Sequence, residues 1–201
     1  MFKAKYFPTI VYAKDVNLDN RLFENAVIEW SNKDKGMKRT NMKGWHSQTD
    51  MHTIPVFKPL VEELFKMQEE IYKEEFLSGK AMIGNMWANI NPKGGYNRPH
   101  IHPNSHFSGV YYIKAPKNCG DIIFNDPRTL SHMLMPNRIK QTPHPDLWRE
   151  VRVQPIEGRI IMFPAWLWHC VDPNENDDIR ISVSFNFLQE DFKIFATLPS
   201  A

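Results

Sequence analysis

The chain has 201 residues, 42% hydrophobic and 24% charged, with a formal net charge of +2, enough apolar material for one core and too little length for two ordinary domains. The small net charge, with lysines and arginines scattered among acids, gives no electrostatic footprint for nucleic acid, and no run approaches the roughly 18 to 20 apolar residues of a membrane span. MFKAKYFPTIVYAKD lacks a signal-peptide core followed by a small-residue cleavage site, so a cytoplasmic protein is expected, with Cys119 and Cys170 as two reduced thiols.

Taken in chain order, residues 1–80 read mainly as helical support. Asp19 and Asn20 are capping residues ahead of Leu22, Phe23, Ala26, Val27 and Trp30, which recur at helical spacing up to the polar run SNKDKG. GWHSQTDMHTIP reads as an irregular packed loop. A second helix starts near Pro59, carries an apolar stripe through Leu60, Leu64, Met67 and Ile71, and is expected to stop at Gly79. From Ala81 to about residue 190 the texture changes to short runs rich in β-branched and aromatic residues: AMIGNMWANI, HFSGVYYIKA, GDIIFND, EVRVQ, GRIIMFP, LWHCV and IRISVSFNFL. NPKGG, APKNCG, PIEG and DPNEND between them are turn chemistry. Many short strands at regular spacing predict an all-β sandwich or jelly roll within a single domain spanning 1–201. The long connection from Arg128 to Trp148, rich in Pro, His and Met, is expected as a flap near a functional site.

Within RPHIHPN, His100 and His102 share a strand face and can present two imidazoles to one point. Such a pair alone is more often a surface or hydrogen-bonded feature than a metal site. GRIIMFPAWLWHCV then brings His169 to the end of an apolar strand-turn-strand unit, as barrel metal sites built from neighbouring strands require. Further on, Arg180 and Ser182 share a strand face with Ser184 and Asn186, while Ile181, Val183 and Phe185 face the other way. An arginine with a hydroxyl two residues on suits capture of a carboxylate, although a solvated edge arginine is the simpler alternative. Phe163, Trp166 and Trp168 could wall such a site. Arg128 is either a contact for an anionic substrate or the partner of Asp126. His46, His52, His132 and His144 read as surface or loop residues, and alternation turns Cys170 away from His169.

The segments GWHSQ, MWANINPKGGYNRPHIHP, SGVYYIKAP, GDIIFNDPR, GRIIMFPAWLWHCV and RISVSFNF, in this order from Gly44 to Phe187, resemble the Fe(II)- and 2-oxoglutarate-dependent oxygenases, in particular an uncharacterised group common in bacteria and phages. The resemblance implies a mainly β, double-stranded β-helix (jelly-roll) fold with supporting N-terminal α-helices, and Fe(II) and 2-oxoglutarate as cofactors. It implies oxidation of a substrate with succinate and CO2 as coproducts. It places the metal ligands on His100, His102 and His169. The cofactor carboxylate falls to Arg180 and Ser182, to Tyr112 by likeness to the tyrosine of prolyl hydroxylases, and more weakly to Asn89.

The sequence departs from that family at His102, where a carboxylate is usual, so three histidines replace two histidines and one carboxylate. Asp121 or Asp126, bordering a neighbouring strand, is the alternative third ligand; Asn104 and His106 are also close in sequence. Two other readings remain open: a cupin-type metal dioxygenase that does not use 2-oxoglutarate, and a non-catalytic barrel that binds a metal or a carboxylate. The substrate is expected to be a small molecule or a peptidyl side chain. Oligomeric state is open, a dimer included.

Overall fold

The structure is a computed structural model that describes residue 2 and residues 4–128 and 148–189. In chain order its elements are β1 (Tyr12–Asp15), α1 (Asn20–Lys33), β2 (Asn41–Met42), β3 (Trp45–His46), two short 3-10 turns (Met51–Thr53 and Pro55–Phe57), α2 (Lys58–Glu74), β4 (Ala81–Asn91), β5 (Tyr96–His100), β6 (Phe107–Lys114), β7 (Ile122–Asn125), β8 (Glu150–Val153), β9 (Arg159–Pro164), β10 (His169–Val171) and β11 (Arg180–Gln189). The strands form a six-stranded sheet in the order β1-β9-β6-β11-β4-β3 and a five-stranded sheet in the order β2-β5-β10-β7-β8. Every pairing within the two sheets is antiparallel. This is the expected jelly roll, and the seven strand runs read from Ala81 onward all form.

The helical third also supplies strands. β1 extends the six-stranded sheet at β9, and β2 and β3 add to β5 and β4. Sequence periodicity misses them because two- to four-residue edge strands carry too few residues to show a period. The α1 cap forms as expected, the Asp19 carboxylate accepting from the Leu22 amide at 2.9 Å. The end of α2 differs from expectation. The helix closes at Glu75, Phe76 takes a left-handed backbone (φ 54°), and the Leu77 amide donates back to the Tyr72 carbonyl at 2.8 Å. That is a Schellman closure with Phe76 where glycine is usual, three residues before the expected stop at Gly79.

Strand alternation divides the six-stranded sheet into two faces. Phe23, Val27, Leu60, Leu64, Met67 and Ile71 of the helices pack on Met86, Ala88, Tyr111, Ile113, Met162, Ile181, Val183, Phe185 and Phe187 in one large apolar cluster. On the other face a smaller cluster, Val110, Tyr112, Ile122, Phe124, Ile161, Phe163 and Leu167, fills part of the space between the sheets. The remaining space is a polar cavity. The connection expected as a flap lies, apart from its ends at Arg128 and Trp148, outside the described residues, as do His132 and His144. Among the described residues no helix is long and apolar enough to cross a membrane.

Candidate metal and carboxylate site

The cavity between the sheets measures about 430 Å³. β5 and β10 pair so that His169 lies opposite His100. β5 ends at His100, so strand alternation does not hold His102; its backbone amide is fixed by the Ala165 carbonyl at 3.0 Å. The three imidazoles still converge: each offers a nitrogen within 4.8 Å of the other two, and His102 Nε2 stands 3.3 Å from His169 Nε2. Nitrogens bound about 2.1 Å from a metal on adjacent octahedral positions are about 3 Å apart, so small side-chain movements close the set on one ion.

Two of the rings are oriented from behind. His100 Nδ1 lies 2.6 Å from the Arg98 carbonyl and His169 Nδ1 2.8 Å from the Leu167 carbonyl. A carbonyl can only accept, so both Nδ1 atoms carry the proton and both Nε2 lone pairs face inward, the arrangement a metal requires. Burial pushes the His169 imidazolium down to about 3 and that of His102 to about 4, and lowers His100 as well; mutual repulsion among the rings adds to the effect at His169 and His102. All three are therefore neutral near pH 7. Phe163 packs edge-on against His169 with centroids 4.7 Å apart. Phe163 thus walls the site as expected, whereas Trp166 and Trp168 are about half exposed and do not line the cavity.

The carboxylate alternatives for the third ligand are not brought to this point. Neither Asp121 nor Asp126 joins the histidine group, and no Asp or Glu is among the described residues lining the cavity. Asp126 receives two hydrogen bonds from the Arg128 guanidinium, each 2.9 Å, so the ordinary salt bridge is what forms there. His106 turns instead to the Tyr72 hydroxyl, 3.1 Å from its Nδ1.

Arg180, Ser182, Ser184 and Asn186 of β11 all line the cavity, as their alternation predicts. In the cross-strand register Ser182 faces Asn89 on one side and Tyr112 on the other, so three of the four residues expected at the cofactor carboxylate form one row, with Arg180 at its end. Arg180 is 1% exposed. Its Nη1 donates to the carbonyls of Cys119 and Gly120 at 2.5 and 3.0 Å, and among the described residues it makes no ion pair with a carboxylate. Gly120 (φ 92°) shapes this cradle: a Cβ there would sit 2.2 Å from the Asp172 carbonyl oxygen and 2.9 Å from Arg180 Nη1. Asn89 donates to Ser184 Oγ at 3.2 Å while its buried Oδ1 has no partner. Asp172 acts on Arg180 from a distance but is itself paired with Arg152, and a buried guanidinium without a carboxylate hydrogen-bonded to it is costly unless an anionic ligand completes it.

His46, set aside by sequence reasoning, belongs to the same wall. β3 pairs with β4 so that His46 lies opposite Asn89; it is 4% exposed and stacks on Trp87, with centroids 5.3 Å apart and 9° between planes. Its Nδ1 donates to the Ser47 carbonyl at 2.6 Å, which leaves Nε2 as an acceptor, and burial first, with Arg39 nearby, lowers its pKa. Arg39 and Trp87 also line the cavity. The sequence signal was present in GWHSQ, but nothing in the spacing of that loop ties it to the barrel until β3 pairs with β4.

A jelly roll that gathers three histidines able to hold one metal ion, with a buried arginine lining the same cavity, has the donor set of non-haem metal sites. The family described as "Putative 2OG-Fe(II) oxygenase" matches residues 85–186, about half of the chain, and the chain belongs to this family of Fe(II)- and 2-oxoglutarate-dependent oxygenases. No curated protein sequence matches it. Solved structures agree in fold. A Pseudomonas putida prolyl-4-hydroxylase superposes with a TM-score of 0.61 at 14% identity, covering 90% of this chain and 93% of its own. The non-haem α-ketoglutarate-dependent epimerase SnoN from nogalamycin biosynthesis gives 0.68 at 11% identity, covering 90% and 78%. HygX from Streptomyces hygroscopicus, with nickel and 2-oxoglutarate bound, gives 0.64 at 9% identity, covering 92% and 85%. Membership of the family carries Fe(II) and 2-oxoglutarate as cofactors and favours that reading over the cupin-type one.

Proposed function

We propose that His100, His102 and His169 hold the ferrous ion through Nε2, and that Arg180, with Ser182, Tyr112 and Asn89, holds the distal carboxylate of 2-oxoglutarate. The observation that carries this reading is the Arg180 guanidinium, fully buried, anchored by backbone carbonyls on one edge and without a carboxylate partner among the described residues. When bound, iron and 2-oxoglutarate supply reduction of O2 coupled to decarboxylation, with succinate and CO2 as products.

The chain's own part is to position and to exclude water. The Arg98 and Leu167 carbonyls keep two imidazoles in the ligating tautomer. The cavity face of β11 aligns the cofactor along the row from Arg180, and Phe163 and Ile122 add apolar lining to the cavity. With three neutral ligands the metal keeps its full charge, which favours the reduced ion and weakens its retention relative to a site with a carboxylate. The outcome on substrate is hydroxylation of a C–H bond. The substrate is a small molecule or a peptidyl side chain, in keeping with a neighbour that is a prolyl-4-hydroxylase and another from nogalamycin biosynthesis. Two free cysteines, Cys119 buried, suit a reducing cytoplasm.

Addition of Fe(II) and 2-oxoglutarate under anaerobic conditions should give a visible charge-transfer band, and admission of O2 should yield succinate. Arg180→Met should abolish the band at 2-oxoglutarate concentrations that saturate the wild type. A band that survives this substitution would remove Arg180 from the cofactor pocket.

A further inference from the structure

Among the cavity-lining residues without a role in that assignment are Arg39, His46 and Trp87. Residues 37–40 are pinned against both sheets, the Met37 amide donating to the His46 carbonyl at 2.7 Å and the Arg98 amide to the Thr40 carbonyl at 3.0 Å. The Arg39 amide is taken by Asn41 Oδ1 at 2.7 Å. Its backbone is thus fixed at the cavity wall, while its exposed guanidinium has no hydrogen bond or ion pair among the described residues. Arg39 also borders a neighbouring open cleft of about 740 Å³, where Lys35, Lys38 and Lys43 stand and again no acidic residue does.

The charge balance makes this informative. A ferrous ion held by neutral imidazoles, together with Arg180, exceeds the two negative charges of 2-oxoglutarate by one, and Arg39 raises the excess to two. A carboxylate ligand would have removed one of these charges, but His102 occupies its place. No Asp or Glu is among the described lining residues, and Asp172, whose charge reaches Arg180 from outside the lining, is already paired with Arg152. Next to Arg39, the His46 ring is locked by Trp87 and by Ser47 in the tautomer that turns an acceptor, not a donor, away from the backbone.

We propose that the substrate carries an anionic group, a carboxylate or a phosphate, bound by Arg39, and beside it a hydroxyl or N–H that donates to His46 Nε2. The inference rests on the assignment of the histidines and Arg180 above. A guanidinium presents a planar fork that fits either anion. The neutral acceptor adds discrimination, because a substrate lacking the donor would leave a buried imidazole lone pair unpaired. The cavity also has to hold 2-oxoglutarate, so the matching partner is a small anionic hydroxy or amino compound.

The test uses the anaerobic protein loaded with Fe(II) and 2-oxoglutarate, titrated with glycerol 3-phosphate, 3-hydroxybutyrate, butyrate and glycerol. The visible band and tryptophan fluorescence, to which Trp87 contributes, report binding. Glycerol 3-phosphate should bind at least tenfold more tightly than glycerol, or 3-hydroxybutyrate should do so; whichever is tighter supports the proposal and names the anion. Arg39→Gln should erase that preference and Arg39→Lys should restore part of it. His46→Phe, which keeps a ring on Trp87, should lower 3-hydroxybutyrate to the affinity of butyrate, and His46→Gln, which keeps an acceptor, should recover part of the difference. Retention of the band by each variant shows that the cofactor site is intact. A wild-type protein with the band but no preference for the anionic probes, or an unaltered preference in Arg39→Gln, overturns the inference alone. A wild type without the band overturns the cofactor assignment and this inference with it.

Discussion

β11 has two faces, and they answer to different demands. Ile181, Val183, Phe185 and Phe187 point at the helices and are each 0% exposed, while Arg180, Ser182, Ser184 and Asn186 point between the sheets. The first set is apolar and close-packed, and stabilises the fold through burial. The second set is nearly as buried but polar, and is only partly satisfied. Ser108 donates to Asn186 Oδ1 at 2.7 Å and Asn186 to Asn85 Oδ1 at 2.5 Å, closing one end of the row. Towards the other end, Arg180 makes no ion pair with a carboxylate, the nearby Asp172 being paired with Arg152, and among the described residues Asn89 Oδ1 has no partner. One strand therefore separates the part of the molecule that holds it together from the part to which the proposed function assigns a ligand.

Breaking the comparison on its apolar side should give the largest effect. Phe185→Ala removes a ring packed edge-on against Phe187 with centroids 5.9 Å apart, and should cost about 3–5 kcal/mol, read as a lower urea midpoint. Breaking it on the polar side should do the reverse. Arg180→Met should raise the KM for 2-oxoglutarate about a hundredfold, the loss expected for a buried charged hydrogen-bonding partner. The urea midpoint of the ligand-free protein should hold or rise, because a buried charge without a counter-ion opposes folding. A large loss of stability in this variant would mean that Arg180 serves the fold first.

The same contrast explains how much was legible in the sequence. Alternation in IRISVSFNF assigned both faces of β11 correctly, because a half-polar strand carries its orientation in its own pattern. Arg180 could be placed by that same alternation, and His169 by its position at the end of the apolar strand-turn-strand unit GRIIMFPAWLWHCV. His102 was legible as a neighbour of His100, but strand geometry does not hold it; the Ala165 carbonyl does, and such a backbone bond leaves no trace in residue types. That His102, and neither Asp121 nor Asp126, lies beside His100 and His169 needed three dimensions to see. His46 and Arg39 were missed because β2 and β3 are two residues long, too short for any period. The end of α2 was misplaced because Gly79 has the expected residue type and Phe76 only the expected backbone.

Acid should sharpen the comparison further. The folded-state pKa values of His100, His102 and His169 all lie below the ordinary value of about 6.5. Below that ordinary value the unfolded chain takes up protons that the folded chain does not. The stability associated with neutral histidines is therefore complete above about pH 6.5 and is lost as pH falls towards the folded values of about 4 and about 3 for His102 and His169. In urea titrations of the metal-free protein between pH 7.5 and 4.5, His169→Phe should show a shallower decline than the wild type. Parallel declines would mean that the cavity histidines are not the groups that titrate. Nickel or zinc, by competing with protons for the same lone pairs, should move the wild-type decline to lower pH.

The smallest expected effect lies in the helical layer, away from the cavity. Phe76 is 95% exposed and holds a left-handed backbone at φ 54° in order to close α2. A side chain in that region costs about 1–2 kcal/mol, which glycine does not incur. Glycine gives back part of that gain through the greater freedom of the unfolded chain. The ring is in solvent, so its removal forfeits little packing. Phe76→Gly should therefore raise stability by about 0.5–1 kcal/mol, read as a higher urea midpoint, and leave the affinity for 2-oxoglutarate unchanged. An altered affinity would show that the helix-covered and cavity faces of the sheet are coupled, and that the division along β11 describes packing alone.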